Sequence, residues 1–492
     1  MMNRFVRILL LILAVAFAIR VTYVAVAKGG SCIASNAHVT ATSPSKCLVG
    51  DEIFYNGEAD YVARGHGFNQ PFYVIQHPGA AEQPAADHPP LTVMVLAPVS
   101  WIIDHTPLSS VVGEPLRDRV REHRYTMVVL GTFLVLLIGL LGRRIGGDNV
   151  GLIAAAIAAI APTIWVNDGL VMSETVTSLV VVGALLAACA MWDKPTFWRA
   201  TLLGALCGLA ALARAEMLLL VPLLALVVTL TVQKGWPERW ALTGTAAALA
   251  FLVIVPWVGF NLARFKDPTF ISTNDGITLA LSNCDQVYYG KGTGLWAFDC
   301  LGPQPPGDQS QAAHVYRSRA FDYIDAHRGR VPVVVLARVG RVWGLYRPGD
   351  MVAYNVFEDR ERWVTQLGFV TYYPTLILAV AGGVILFRRR RRRELWVLSV
   401  PAIAVTISAV VTYGQTRFRA AAEPSLAILA AVAIVAVVDA LRRSRSDGDG
   451  GDRLVLGGEV DLDGRGRGQT REGDDRDRVH DEREELHLPE AQ

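Results

Sequence analysis

Ten apolar stretches of spanning or near-spanning length recur along this chain. They lie at Leu9–Ala27 and at about 125–142, 148–166, 170–192, 198–213, 215–232, 241–260, 367–387, 395–413 and 425–441. About 20 helical residues cross the hydrocarbon core of a bilayer, and a backbone inside it must satisfy its own hydrogen bonds. The fold class that follows is an all-α polytopic membrane protein with about ten transmembrane helices. Composition agrees, since 52% of the 492 residues are hydrophobic and only 19% charged, with a mean hydropathy of +0.33. The near-neutral balance of +2 leaves nothing to support nucleic-acid binding. The first run, with Arg4 and Arg7 ahead of it and Ala25-Val26-Ala27 at its end, could be a cleaved signal peptide. Its length fits an uncleaved anchor better, with Arg20 near its outer end reading as a snorkelling side chain.

Basic clusters decide the orientation. Arg143-Arg144, Lys194 with Arg199, Lys234 with Arg239, the run Arg388 to Arg393, and Arg442-Arg443 all fall inside if both termini are cytoplasmic. Leu91 to Ile103 is apolar but short for a span, and suits an interfacial or re-entrant helix. Two large extracytoplasmic loops result, 28–124 and 261–366, long enough to be folded or functional. A transmembrane domain then covers 1–441. Residues 442–492, rich in Asp, Glu, Arg and Gly, read as a disordered cytoplasmic tail. The expected location is the plasma (inner) membrane.

Six cysteines fit this layout. Cys32 and Cys47 share the first outer loop and Cys284 and Cys300 the second, which suits two disulfides in an oxidising compartment, although spacing alone leaves free thiols open. Cys189 and Cys207 lie inside apolar runs.

The chemistry-bearing residues gather in the outer segments. Asp51 and Glu52 open an amphipathic stretch directly after the first run, followed by Tyr55, Glu58 and Asp60. Gly50-Asp51 is equally a helix cap with Glu52 favouring the dipole, and the cap and a chemical role are compatible. Glu174 stands at the outer end of a span, where a charge must face a polar cavity or find a partner. Arg214 and Glu216 read as a pair bracing a hairpin apex. Arg417 and Arg419 sit in the last outer loop, where a planar guanidinium suits a phosphate and snorkelling is the alternative. His88 precedes a rigid Pro89-Pro90. Val331 to Tyr346 reads as an interfacial helix whose Arg338 and Arg341 meet either a carrier phosphate or lipid headgroups, the latter favoured.

The order of these motifs resembles a known family. Asp51-Glu52 with Tyr55 and Gly65-His66-Gly67-Phe68, His88-Pro89-Pro90-Leu91, Ser173-Glu174, Pro256-Trp257, and Arg417-Phe418-Arg419 through Glu423-Pro424 together look like the GT-C superfamily of polyprenyl-phosphate-sugar glycosyltransferases. The branch is that of protein O-mannosyltransferases and lipid A aminoarabinose transferases, and the resemblance spans about 1–441. It implies inverting transfer of one sugar from a polyprenyl phosphate to an extracytoplasmic protein, lipid or polysaccharide acceptor. Asp51 is then the general base, with Glu52 beside it, and Tyr55, His88, Glu174, Arg417 and Arg419 contact substrate. The departing phosphate needs no protonated acid, only cations where its charge grows. Two departures stand out: Phe54 and His88 occupy positions where relatives carry basic residues, so the donor sugar is not carried over. Asp51, Glu52 and Glu174 are candidate ligands for a divalent cation, while no cofactor is otherwise implied. A transporter or flippase of lipid-linked glycans is the main alternative, and a non-catalytic scaffold a third. No internal repeat supports transport.

Overall fold

The computed structural model describes residues 3–28, 32–33, 47–48, 50–71, 73, 79–106 and 119–455. Its contacts divide the chain into two units, Met1–Val438 and Asp439–Gln492. The first holds every feature below; of the second, helix is described as far as Val455. Residues 442–455 of the expected tail are therefore helical, and 456–492 lie outside the described residues.

Helix α1 (Arg4–Ala27) starts on an Asn3 cap. Two-residue strands β1 (Cys32–Ile33) and β2 (Cys47–Leu48) pair in parallel, and then come α2 (Asp51–Ala63) and α3 (Leu91–Asp104). α4 (Val120–Gly146) and α5 (Asp148–Ile160) form a hairpin. Pro162 has no N–H to continue α5, so the path bends by 62° into Pro162–Gly169. α6 (Ser173–Asp193) and α7 (Phe197–Ala213) follow. A 3-10 turn and a π-helical stretch then fill 215–226 before α8 (Trp236–Arg264). The second outer loop carries α9 (Asn274–Leu281), α10 (Gln309–Ala326), α11 (Val331–Val342) and α12 (Pro348–Phe357). α13 (Arg362–Arg388), α14 (Arg392–Val411) and α15 (Glu423–Val455) complete the chain.

Among the described residues, seven helices are long and apolar enough to cross a membrane, namely α1, α4, α6, α8, α13, α14 and the Glu423–Ser444 part of α15. The bent pair makes an eighth. The remaining two expected spans are present but short, Phe197–Ala213 and Ala215–Leu230, so ten apolar runs give seven straight spans, one broken one and two short helices. Leu91–Asp104 is a short apolar helix, as read from sequence.

Packing within the membrane part is close because small residues line the crossings. Adding a side chain to Gly204 of α7 would put its Cβ 2.0 Å from the Ala246 carbonyl of α8, so only glycine permits that approach. One core cluster joins α1, α4, α5, α6, α7, α14 and α15. Arg20 does not snorkel: it is fully buried and bonds Asp168 at 2.7 Å, tying α1 to the bend after α5. Arg338 and Arg341 likewise avoid headgroups. Arg338 donates to the carbonyls of Ser282 and Val410, and Arg341 to those of Thr293 and Lys291, which fastens the second outer loop to the bundle. Guanidinium groups serve here as multi-point donors to backbone that has no water to turn to.

Within that loop Cys284 and Cys300 form a disulfide with 5.5 Å between their Cα atoms. Cys32 faces Cys47 in the β1–β2 register, while their side chains lie outside the described residues. Cys189 and Cys207 are free and buried.

Candidate active site

α2 begins directly after the β2 strand, and its cap is Gly50, not Asp51. Gly50 has φ +59, a value costly for any residue with a Cβ, and it offers no side-chain cap. Asp51 and Glu52 therefore both stand in the first turn, their side chains about 100° apart around the helix. They point into different surroundings.

Asp51 faces Arg417 and His88. Its Oδ2 accepts from Arg417 Nη2 at 2.7 Å, and its Oδ1 lies 3.7 Å from His88 Nε2. Arg417, in the 3-10 turn Thr416–Ala421 between α14 and α15, reaches three carboxylates at once. Besides Asp51 it bonds Glu358 Oε1 at 2.9 Å and approaches Glu174 Oε1 at 3.7 Å. Glu174 is also 3.6 Å from both Arg214 and Arg360, and Arg360 bonds Glu358 at 3.1 Å. Arg214 pairs with Glu216 at 2.6 Å, as expected for the apex. Three arginines and three carboxylates thus interlock at the helix ends, with Glu216 on the rim.

Burial alone would raise the Asp51 carboxyl, but Arg417 and then His88 outweigh it and hold the group well below the usual carboxylate range. Burial alone would lower Arg417, and Glu358 with Asp51 instead drives it well above its ordinary value. Glu358 moves up, burial outweighing the pull of Arg417 and Arg360. Asp51 and Arg417 are therefore a firmly ionised pair.

A cavity of about 590 Å³ opens against this lattice. Tyr55, Asp87, His88, Ser173, Arg214 and Arg417 line it beside the Asp51–Arg417 pair, and its other walls mix apolar residues such as Phe270, Leu279 and Val411 with Asp275, Arg317 and several Ser and Thr side chains. Both outer loops, the 213–218 apex and the end of α14 each supply a wall. The Tyr55 ring packs 4.8 Å from His88, which fixes the imidazole at the cavity edge.

Of the residues expected here, Asp51, Tyr55, His88, Glu174 and Arg417 come together. Glu52 does not join them. It is wholly buried on the opposite side of the α2 first turn, where its Oε1 accepts from the Val171 N–H at 2.7 Å. Arg419 also stands apart, paired with Glu423 and packed over the Tyr372 ring 3.4 Å from its centroid, beside a pocket of about 50 Å³. Glu358 and Arg360 were not singled out from sequence. The signal was there, in the dense run Glu358-Asp359-Arg360-Glu361-Arg362 at the outer start of a span.

The three carboxylates read as candidate cation ligands are not gathered on one point: Glu52 is turned away, Asp51 is bonded to Arg417, and Glu174 stands 3.6–3.7 Å from three guanidinium groups with neither oxygen hydrogen-bonded. Among the described residues, no group of three or more His, Cys, Asp or Glu is placed to hold a metal ion.

Comparison with known proteins supports the fold. The family described as dolichyl-phosphate-mannose-protein mannosyltransferase matches residues 117–260. The oligosaccharyltransferase of Archaeoglobus fulgidus in its apo form aligns over 94% of this chain and 53% of its own, with TM-score 0.51 and 15% identity. Archaeal oligosaccharyltransferase AglB from that organism, in complex with an inhibitory peptide and a dolichol-phosphate, aligns over 92% and 52% with TM-score 0.53 and 15% identity. The same organism's enzyme complexed with Zn and sulfate gives 0.50 and 17% identity over 87% and 49%. The chain thus spans about half the length of the structures it matches. No curated protein matches. The architecture is that of the GT-C fold, as the order of motifs indicated.

Proposed function

We propose that this chain is an integral membrane inverting glycosyltransferase that moves one hexosyl or pentosyl unit from a polyprenyl phosphate to an extracytoplasmic acceptor hydroxyl. The observation that carries the reading is the Asp51–Arg417 pair. A carboxylate and a guanidinium from opposite ends of the chain meet beside a cavity whose lining holds both charged and apolar side chains. A lipid-linked sugar carries both characters: phosphate and sugar for the charged groups, a prenyl chain for the apolar ones.

In the step proposed, the acceptor oxygen attacks the anomeric carbon and its proton passes to Asp51. The carbon–oxygen bond to phosphate breaks, and polyprenyl phosphate departs with one more negative charge. Arg417, Arg214 and His88, in the lining of the cavity, receive that charge. Pairing of Arg417 with phosphate would draw it from Asp51 and restore basicity to the carboxylate when the proton must be taken. Tyr55 and Glu174 hold His88 and Arg417 in place. The orientation follows from the basic clusters: active site outside the cell membrane, both termini in the cytoplasm. The acceptor is a protein, lipid or polysaccharide hydroxyl. The charged groups stand at helix ends and not at mid-depth, which favours transfer over transport.

The test is Asp51→Asn in purified protein supplied with polyprenyl-phosphate sugars. Donor binding should persist while transfer falls by about 10²–10⁴-fold, the scale of losing a general base. Transfer at the wild-type rate would remove Asp51 from the mechanism.

A further inference from the structure

Behind the site, on the other face of the first turn of α2, lies a second set of charges that the transfer step does not use. Lys28 Nζ, at the end of α1, is 2.8 Å from Asp359 Oδ2 and 3.0 Å from Glu361 Oε1. Arg124 of α4 brings one nitrogen, Nη2, to 3.4 Å from Asp359 Oδ2 and 3.9 Å from Glu52 Oε2. Tyr23 donates its hydroxyl to Glu361, and Arg124 also bonds the Lys28 carbonyl at 2.7 Å. Arg360 turns away to Glu358, and Arg20 is engaged by Asp168 one helical turn before Val171. Lys28, Glu52, Arg124 and Asp359 are all fully or almost fully buried.

The charges do not balance as they stand. Among the described residues, three carboxyls, Glu52, Asp359 and Glu361, face two cations, Lys28 and Arg124, at buried positions. Two carboxyl oxygens, Glu52 Oε2 and Asp359 Oδ1, are buried with no hydrogen-bond donor. The two carboxyls nevertheless converge on one nitrogen, Arg124 Nη2, which lies 3.9 Å from Glu52 Oε2 and 3.4 Å from Asp359 Oδ2. Two ionised carboxylates on one nitrogen repel, and neither can donate.

We infer that Glu52 and Asp359 share one proton, forming a carboxylic acid–carboxylate bridge that locks the first outer loop to the second. One proton removes the surplus charge and gives the orphaned oxygens a donor. The bridge also acts at a distance. Each partner is the sequence neighbour of a residue that touches Arg417: Glu52 of Asp51, and Asp359 of Glu358. Asp359 has φ +62, a left-handed value that Asp tolerates better than most residues, and there the chain turns Glu358 toward Arg417 and Asp359 toward Lys28. Glu52 and Asp359 are thus positioning residues for the proposed base and its arginine, a role that rests on the glycosyl-transfer reading. The bridge itself does not.

Burial and then Glu52 push the Asp359 carboxyl up to about 8, against the pull of Lys28. Its unfolded-state value is near 4, so the folded protein binds more protons between about pH 4 and 8. Stability from the bridge is full below about pH 4 and is lost as pH rises through about 8.

The experiment compares wild type, Glu52→Gln, Asp359→Asn and Glu52→Ala in detergent or nanodisc, by infrared spectroscopy of carboxyl groups and by thermal unfolding from about pH 5 to 9. Beside any band from the buried Glu58, which burial pushes well up, the wild type should show a protonated carboxyl at neutral pH that disappears in Glu52→Gln and in Asp359→Asn. Glu52→Gln, whose amide N–H replaces the shared proton, should keep the wild-type midpoint at pH 6 and flatten the decline toward pH 9. Glu52→Ala should lower the midpoint at every pH. A wild type without that carboxyl band, or that band surviving both conservative substitutions, would overturn the bridge. So would Glu52→Gln as unstable as Glu52→Ala. None of these readouts depends on sugar transfer. For the positioning role, transfer by the wild type should fall above about pH 8 and Glu52→Gln should lose that limb. An unchanged alkaline limb would confine the pair to structure.

Discussion

Asp51 and Glu52 are adjacent, as are Glu358 and Asp359, and the fold sends the members of each pair into different networks. Asp51 and Glu358 join Arg417 at the wall of the cavity, where the Asp51 side chain keeps 31% of its exposure. Glu52 and Asp359 join Lys28 and Arg124 in a sealed cluster. The open network has its cations where an incoming anion could compete for them. The sealed one is buried and, among the described residues, has a carboxyl in excess. Similar residue types therefore do different things: one set can exchange partners during a reaction, and the other can only hold two loops together. In low dielectric an unmatched charge is expensive, so the sealed set is the one that must carry a proton.

The largest expected effect separates the networks by function. Arg417→Gln should reduce transfer by about 10²–10³-fold, as for loss of a preorganised charge stabiliser, and weaken donor binding. Lys28→Met should leave donor affinity in place while lowering stability by about 3–5 kcal/mol, the usual result of stranding buried carboxylates. Donor titration and thermal unfolding of both variants would show it, and a donor-binding defect confined to Lys28→Met would invert the assignment.

A smaller effect distinguishes them by pH. The Asp51 carboxyl is depressed in the folded protein, so its contribution to stability is present above the ordinary value near 4 and is lost as pH falls through its folded value. The sealed bridge has the opposite sign and weakens toward alkali. Unfolding midpoints against pH should therefore decline less steeply on the acid side in Asp51→Asn, with the remainder set by other carboxyls near arginines, such as Glu174. An acid-side decline untouched by that substitution would mean that Asp51 is not held by Arg417 in solution.

The smallest effect concerns the hinge between the two. Gly50→Ala forces a Cβ into φ +59 and should cost about 1–2 kcal/mol, seen as a lowered unfolding midpoint. Because the substitution tilts α2, it should also slow transfer more than that loss of stability explains. A thermally altered variant with wild-type kinetics would show that the site tolerates movement of α2.

The amino-acid sequence by itself determined the membrane architecture, since hydrophobic length is a local property that no partner can revise. The resemblance of its motifs pointed to Asp51, His88 and Arg417, and Glu174 stood out as a charge at the outer end of a span that must find a partner. Tertiary structure alone decided the rest. Asp51 and Arg417 are separated by 366 positions, and no local pattern says that they touch. Nor does any pattern say which of two neighbouring acids faces a cavity, as the fate of Glu52 shows. Arg20, Arg338 and Arg341 read as lipid-facing and are buried on Asp168 and on backbone carbonyls. Arg419 reads as a twin of Arg417 and pairs instead with Glu423. The physical reason is common to all of them: a charged side chain near a membrane takes whichever partner removes its desolvation cost, and that partner is supplied by the packing of helices distant in the chain.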